Sequence, residues 1–104
     1  MKDHRTLDDR EETAAEERLY RAILTLRSVD DCRAFFHDLC TPAELQAFKD
    51  RWAVVELLSG GELSYRQIHE RTGISVTTIG RVARYLGAGQ GGYARALQRS
   101  QRQG

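Results

Sequence analysis

The chain has 104 residues, 40% of them hydrophobic and 30% charged, which is enough for one modest core and too short for two independent ones. A mean hydropathy of −0.56, with no run near the roughly 18 apolar residues that a membrane span needs, excludes a membrane protein, and the apolar content excludes a disordered chain. The acid-rich start does not look like a secretory signal, so a bacterial cytoplasmic protein is expected.

The net charge of +1 hides a partition along the chain. Residues 1–18 sum to −3 and residues 19–63 to −2, while residues 64–104 carry seven arginines against Glu70 alone and sum to +6. Arginine forks onto phosphate oxygens and base edges, so the C-terminal part is where a nucleic-acid surface is expected. An arginine-rich solvated tail would have the same composition. Cys32 and Cys40 are too few for a disulfide scaffold or a structural zinc site, and both are read as small buried apolar residues.

Apolar residues recur at spacings of three and four, which predicts an all-helical chain. Residues 1–12 are expected as a disordered or frayed N-terminal arm and 13–104 as a single helical domain. A first helix is expected from about Asp8 to Arg27, burying Leu19, Ile23 and Leu26 on one stripe. Ser28 and Asp31 open a short helix dense in core residues: Val29, Cys32, Phe35, Phe36 and Leu39. Thr41, Pro42 and Glu44 start a long helix running to about Ser59, with Leu45, Phe48, Trp52, Val55 and Leu58 on a stripe that Ala47, Val54 and Leu57 widen. Trp52 is read as core or dimer interface. Gly60 and Gly61 stop this helix.

Ser64 and Gln67 have capping-box spacing and begin a two-turn helix ended by Thr72 and Gly73. Ser75 caps a further helix closed by Gly87, and Tyr93 to about Gln101 forms the last. The stretch 64–86 is thus a helix, a tight turn with a glycine hinge, and a second helix, which is the helix-turn-helix arrangement. Ile68, Ile74, Ile79 and Val82 would form its small core. Ser75, Thr77, Thr78, Arg81, Arg84 and Tyr85 are then left nearer to solvent, where hydroxyls and guanidinium groups reach phosphates and base edges. His69 stands where such motifs commonly carry a small residue.

Four segments resemble the tryptophan repressor superfamily: residues 40–51 (CTPAELQAFKDR), 54–58 (VVELL), 61–66 (GELSYR) and 78–81 (TIGR). Residues 31–40 (DCRAFFHDLC) and 91–93 (GGY) are similar more narrowly to its Trp-repressor-like branch of the YerC/YecD type. The resemblance covers about residues 19–99. It implies an all-α, Trp-repressor-like helical bundle forming an intertwined homodimer, with two reading heads spaced to meet successive major grooves.

The resemblance also implies a corepressor pocket in which two arginines sandwich an indole ring, and these match Arg51 and Arg81. The small glycine that follows the second arginine in the family is Val82 here, so tryptophan is not expected to fit. A hydroxyl residue that contacts DNA in the family is Gly80 here, so the operator is expected to differ.

His4, His37 and His69 are scattered, no nucleophile motif or phosphate-binding glycine loop is present, and no metal, cofactor or enzymatic activity is expected. The function expected is that of a sequence-specific DNA-binding transcriptional regulator, a repressor whose partners are double-stranded DNA and a second copy of itself. Arg66, Ser75, Thr77, Thr78, Arg81 and Arg84 are expected to contact DNA, with Arg66 and Arg84 on phosphates and Thr77, Thr78 and Arg81 nearest the bases. Arg51, Arg81 and Val82 are expected around an effector pocket, for which a small-molecule corepressor is left open. The alternative is a helical protein-interaction module without specific DNA binding.

Overall fold

The structure, a computed structural model, describes residues 6–103. His4 and the first five residues of the expected arm lie outside the described residues. Among the described residues there are six helices and no strand: α1 (Asp9–Ile23), α2 (Val29–Leu39), α3 (Pro42–Gly60), α4 (Tyr65–Thr72), α5 (Val76–Ala88) and α6 (Gly92–Gln103). The fold is all-α, as expected. The chain divides into two compact units at the junction of Thr41 and Pro42.

The first unit holds α1 and α2. At the start of α1 the Asp8 carboxylate accepts the Glu11 N–H at 2.9 Å, and the Glu11 carboxylate accepts the Asp8 N–H at 3.0 Å. This reciprocal cap places residues 9–12 in the first turn of the helix. On the next turns Tyr20 donates to the Glu16 carboxylate. That hydrogen bond, with the carboxylate's charge, pushes the phenol up from its ordinary value of 10.0.

The expected continuation of α1 to Arg27 is not observed. The Thr25 hydroxyl donates to the Ala22 carbonyl at 2.6 Å, and the N–H groups of Thr25 and Leu26 donate to carbonyls three residues back. A side chain that claims a backbone acceptor tightens and ends the last turn. Ser28 caps α2 by accepting the Asp31 N–H at 3.0 Å, while Asp31 reaches past the cap to accept the Arg27 N–H at 2.9 Å.

Neither α1 nor α2 buries a residue, which corrects the expected core of this region. Leu24 is 82% and Val29 72% exposed, Leu19 and Leu39 are also exposed, and Ile23, Leu26, Phe35 and Phe36 are half-buried. Cys32, expected to be buried, is exposed, and Cys40 is half-buried. Periodicity marks the face that would be covered; burial also needs a covering surface.

The second unit has a closed core of Val54, Val55, Ile68, Ile74, Ile79 and Val82, all buried. Pro42 opens α3 as expected, and α3 packs against α5 and α6. Trp52, Leu57 and Leu58 lie against the core, with the Trp52 ring 6.5 Å from that of Tyr93, while Phe48 is exposed. Beyond Gly60 the chain leaves the helix through Gly61 at φ 72°, a conformation that favours glycine. The helix α5 does not stop at Gly87. It runs through that residue to Ala88, and the Gly89 N–H closes the last turn on the Tyr85 carbonyl.

Candidate nucleic-acid interface

The helices α4 and α5 and the turn between them form the expected helix-turn-helix, held by local hydrogen bonds. Ser64 accepts the Gln67 N–H at 3.1 Å and the Gln67 side chain accepts the Ser64 N–H at 2.8 Å, a complete capping box. Gly73 ends α4 at φ 79° with its N–H on the His69 carbonyl. This is a left-handed position where a Cβ would be strained.

Two side chains then brace the turn. Thr72 donates its hydroxyl to the Ile68 carbonyl at 2.7 Å and accepts the Ile74 N–H at 3.0 Å. The His69 Nδ1 lies 2.7 Å from the Ile74 carbonyl oxygen. A carbonyl can only accept, so Nδ1 carries the proton, and the imidazole tethers the end of α4 to the residue before the α5 cap. The bulk of His69 is therefore accommodated by pointing it across the turn.

Ser75 caps α5 by accepting the Thr78 N–H at 3.1 Å, and its own proton goes to the Thr78 hydroxyl oxygen, also at 3.1 Å. The Thr78 hydroxyl keeps its own proton to donate. Ile79 and Val82 anchor the helix in the core, so Thr77, Arg81 and Arg84, spaced by four and three, lie on the opposite face. All three are exposed, as is Ser75, while Thr78 and Gly80 are half-buried. Arg81 and Arg84 both approach the ring of Tyr85, their guanidinium carbons 4.8 and 5.7 Å from its centroid. This cation–π contact steadies two long side chains.

Arg66 on α4 is exposed and meets the Glu70 carboxylate at 3.4 Å. Such a solvated pair is weak enough to open when a phosphate competes.

Arg51 and Arg81 are brought together, as the pocket expectation required. They line an open hollow of about 420 Å³ with Tyr85, Tyr93, the connector residues Gly89 and Gln90, and Gly92 at the start of α6. Val82 is not brought there. It is 1% exposed and faces the core, so its isopropyl group fills the helix-turn-helix interior, because its place on α5 is one turn from Ile79. The roles of His69, Tyr85 and Tyr93 were not foreseen. The spacing of four between Arg81 and Tyr85 was the available signal for the stacked ring, whereas nothing in the sequence announced a contact across the turn from His69.

An acid-free outward face on a braced second helix defines a protein of the helix-turn-helix class. The sequence model of the Trp repressor protein family matches residues 15–101, and the chain belongs to that family. The uncharacterized protein YerC of Bacillus subtilis (strain 168) is 40% identical over 83 residues, covering 80% of this chain and 79% of YerC. Among solved structures, a TrpR-like protein from Eubacterium eligens ATCC 27750 is 38% identical, with a TM-score of 0.79 over 88% of this chain and 94% of that one. A candidate Trp repressor from Staphylococcus aureus is also 38% identical, with a TM-score of 0.76 over 85% of this chain and 87% of that one.

The family is one of DNA-binding regulators rather than of enzymes. No helix among the described residues is long and apolar enough to cross a membrane.

Proposed function

We propose that this protein is a homodimeric, sequence-specific transcriptional regulator of the bacterial cytoplasm, a repressor that occupies its site by placing α5 in the major groove of duplex DNA. The observation that carries the proposal is the outward row of Thr77, Arg81 and Arg84 on a helix whose N-terminus is fixed by the Ser75 cap and the His69 tether. Thr77, Thr78 and Arg81 are nearest the bases. Arg66 and Arg84 hold phosphates, and Ser75, committed to the cap, supports Thr78.

The homodimer rests on the uncovered apolar side chains of α1 and α2, which a second copy would bury by sharing a core. The proposal includes no cofactor and no tryptophan corepressor. The Arg51–Arg81 hollow is open to solvent and would bury little of an indole. Isothermal titration should find no saturable tryptophan binding below about 100 μM, and saturation there with tighter DNA binding would add a corepressor to the scheme.

The direct test replaces Arg81 and Arg84 together by Ala and measures affinity for genomic fragments selected by the wild-type protein. Loss of two phosphate or base contacts per chain is expected to weaken binding at least about tenfold with the helical content unchanged. Equal affinity in the double variant would refute the assignment of α5.

A further inference from the structure

The last helix carries charge that the reading of α4 and α5 does not use. On α6, Tyr93 and Leu97 pack against the core. Arg95, Arg99 and Arg102, spaced by four and three, lie on the opposite side of the helix and are all exposed. No carboxylate lies within ion-pair distance of any of them among the described residues, and no acidic residue follows Glu70 in the chain. At 1.5 Å of rise per residue, Arg95 to Arg102 spans about 10 Å, a length over which one DNA strand presents about three phosphates.

The row begins at the connector that leads from α5. The Arg95 guanidinium folds back to within 3.4 Å of the Gln90 carbonyl, and Gln90 lines the same hollow as Arg81. Arg81 and Arg95 thus each lie beside Gln90 of the connector.

Resting on the DNA-binding reading of α5, we infer that α6 is a second, sequence-independent contact, its arginine row lying along the phosphate backbone beside the groove that α5 enters. The competing occupant within the protein is the acidic α1 of a second copy. Three of its carboxylates have partners on α1 itself: Glu11 in the cap, Glu16 with Tyr20 and Glu17 with Arg21 at 2.9 Å. Duplex phosphates have no such internal partners, and they match a row of guanidinium groups that carries no acceptor.

The test is the triple substitution Arg95→Gln, Arg99→Gln and Arg102→Gln, which keeps helix-forming side chains and leaves Tyr93 and Leu97 in place. Binding to a fluorescein-labelled random-sequence duplex and to a wild-type-selected genomic fragment is followed by anisotropy across a salt series. Both affinities should fall by the same factor, at least about tenfold. The slope of log affinity against log salt should flatten by about 5 for a dimer, from roughly 0.9 counterions per phosphate.

An unchanged slope in the triple variant, with the wild type binding DNA, overturns this inference and leaves α5 as the reader. A wild type that binds neither duplex overturns both. A change in mass by sedimentation with DNA binding intact would assign the row to the α1 of a second copy instead.

Discussion

The two units of this chain solve the problem of burial differently. Residues 42–103 close a core of six apolar residues contributed by α3, α4, α5 and the turn between α4 and α5. The two helices before Thr41 close none, although they carry Leu19, Ile23, Phe35, Phe36 and Leu39 at helical spacing. The charges differ in the same way: acids gather in α1, while the segment after Gly73 has none. The contrast teaches that one part of the chain closes its own core and carries the excess of positive charge. The other leaves apolar side chains uncovered, which in the proposal above a second copy covers.

The largest expected effect that sharpens this contrast is in the closed core. Ile79→Ala should cost about 2–5 kcal/mol, as buried large-to-small changes do. Leu24→Ala, at a position 82% exposed, should stay within about 0.5 kcal/mol at protein concentrations too low for a second copy to cover it. Urea melts of both variants measure the difference, and similar costs at the two positions would erase the distinction between the units.

Next in size is the dependence on concentration. If α1 and α2 are completed by a second copy, each tenfold dilution should remove about 1.4 kcal/mol of stability. Melts that superimpose across dilution would remove the second copy from the account.

A smaller effect belongs to the brace of the turn. His69→Ala removes the Nδ1 hydrogen bond to the Ile74 carbonyl and should cost about 1 kcal/mol. His69→Asn, whose amide can donate from nearly the same place, should recover much of it. Equal losses in both variants would mean that the imidazole acts only by its volume.

The smallest effect is a gain. A Cβ at Gly80 would meet nothing within 4 Å, so Gly80→Ala should stabilise α5 by about 0.5–1 kcal/mol. A loss of stability would show that the helix needs glycine there.

What could be read from the sequence was what is decided locally. The caps at Ser64 and Ser75, the glycine hinge at Gly73 and the inward set Ile68, Ile74, Ile79 and Val82 depend on neighbours within a turn or two, and each is found where its spacing put it. The end of α1 escaped because the Thr25 hydroxyl competes for the Ala22 carbonyl, a choice made by geometry rather than composition. Gly87 was read as a stop, yet glycine only weakens a helix and the following residues carry α5 on to Ala88. The reading of Cys32 as buried fails, since it is exposed and burial on α2 depends on what covers that helix. In the site, the outward placement of Thr77, Arg81 and Arg84 follows from the core residues beside them. Val82 was placed in the pocket by resemblance to the family, and its spacing from Ile79 instead directs it inward.

The measurement that tests the account most directly is a titration of the ¹⁵N-labelled full chain with duplex DNA, followed residue by residue by NMR. The account predicts the largest shifts at Ser75, Thr77, Thr78, Arg81 and Arg84, a second set at Arg95, Arg99 and Arg102, and small shifts from Asp9 to Leu39. Shifts concentrated between Asp9 and Leu39, with α5 and α6 unmoved, would contradict it.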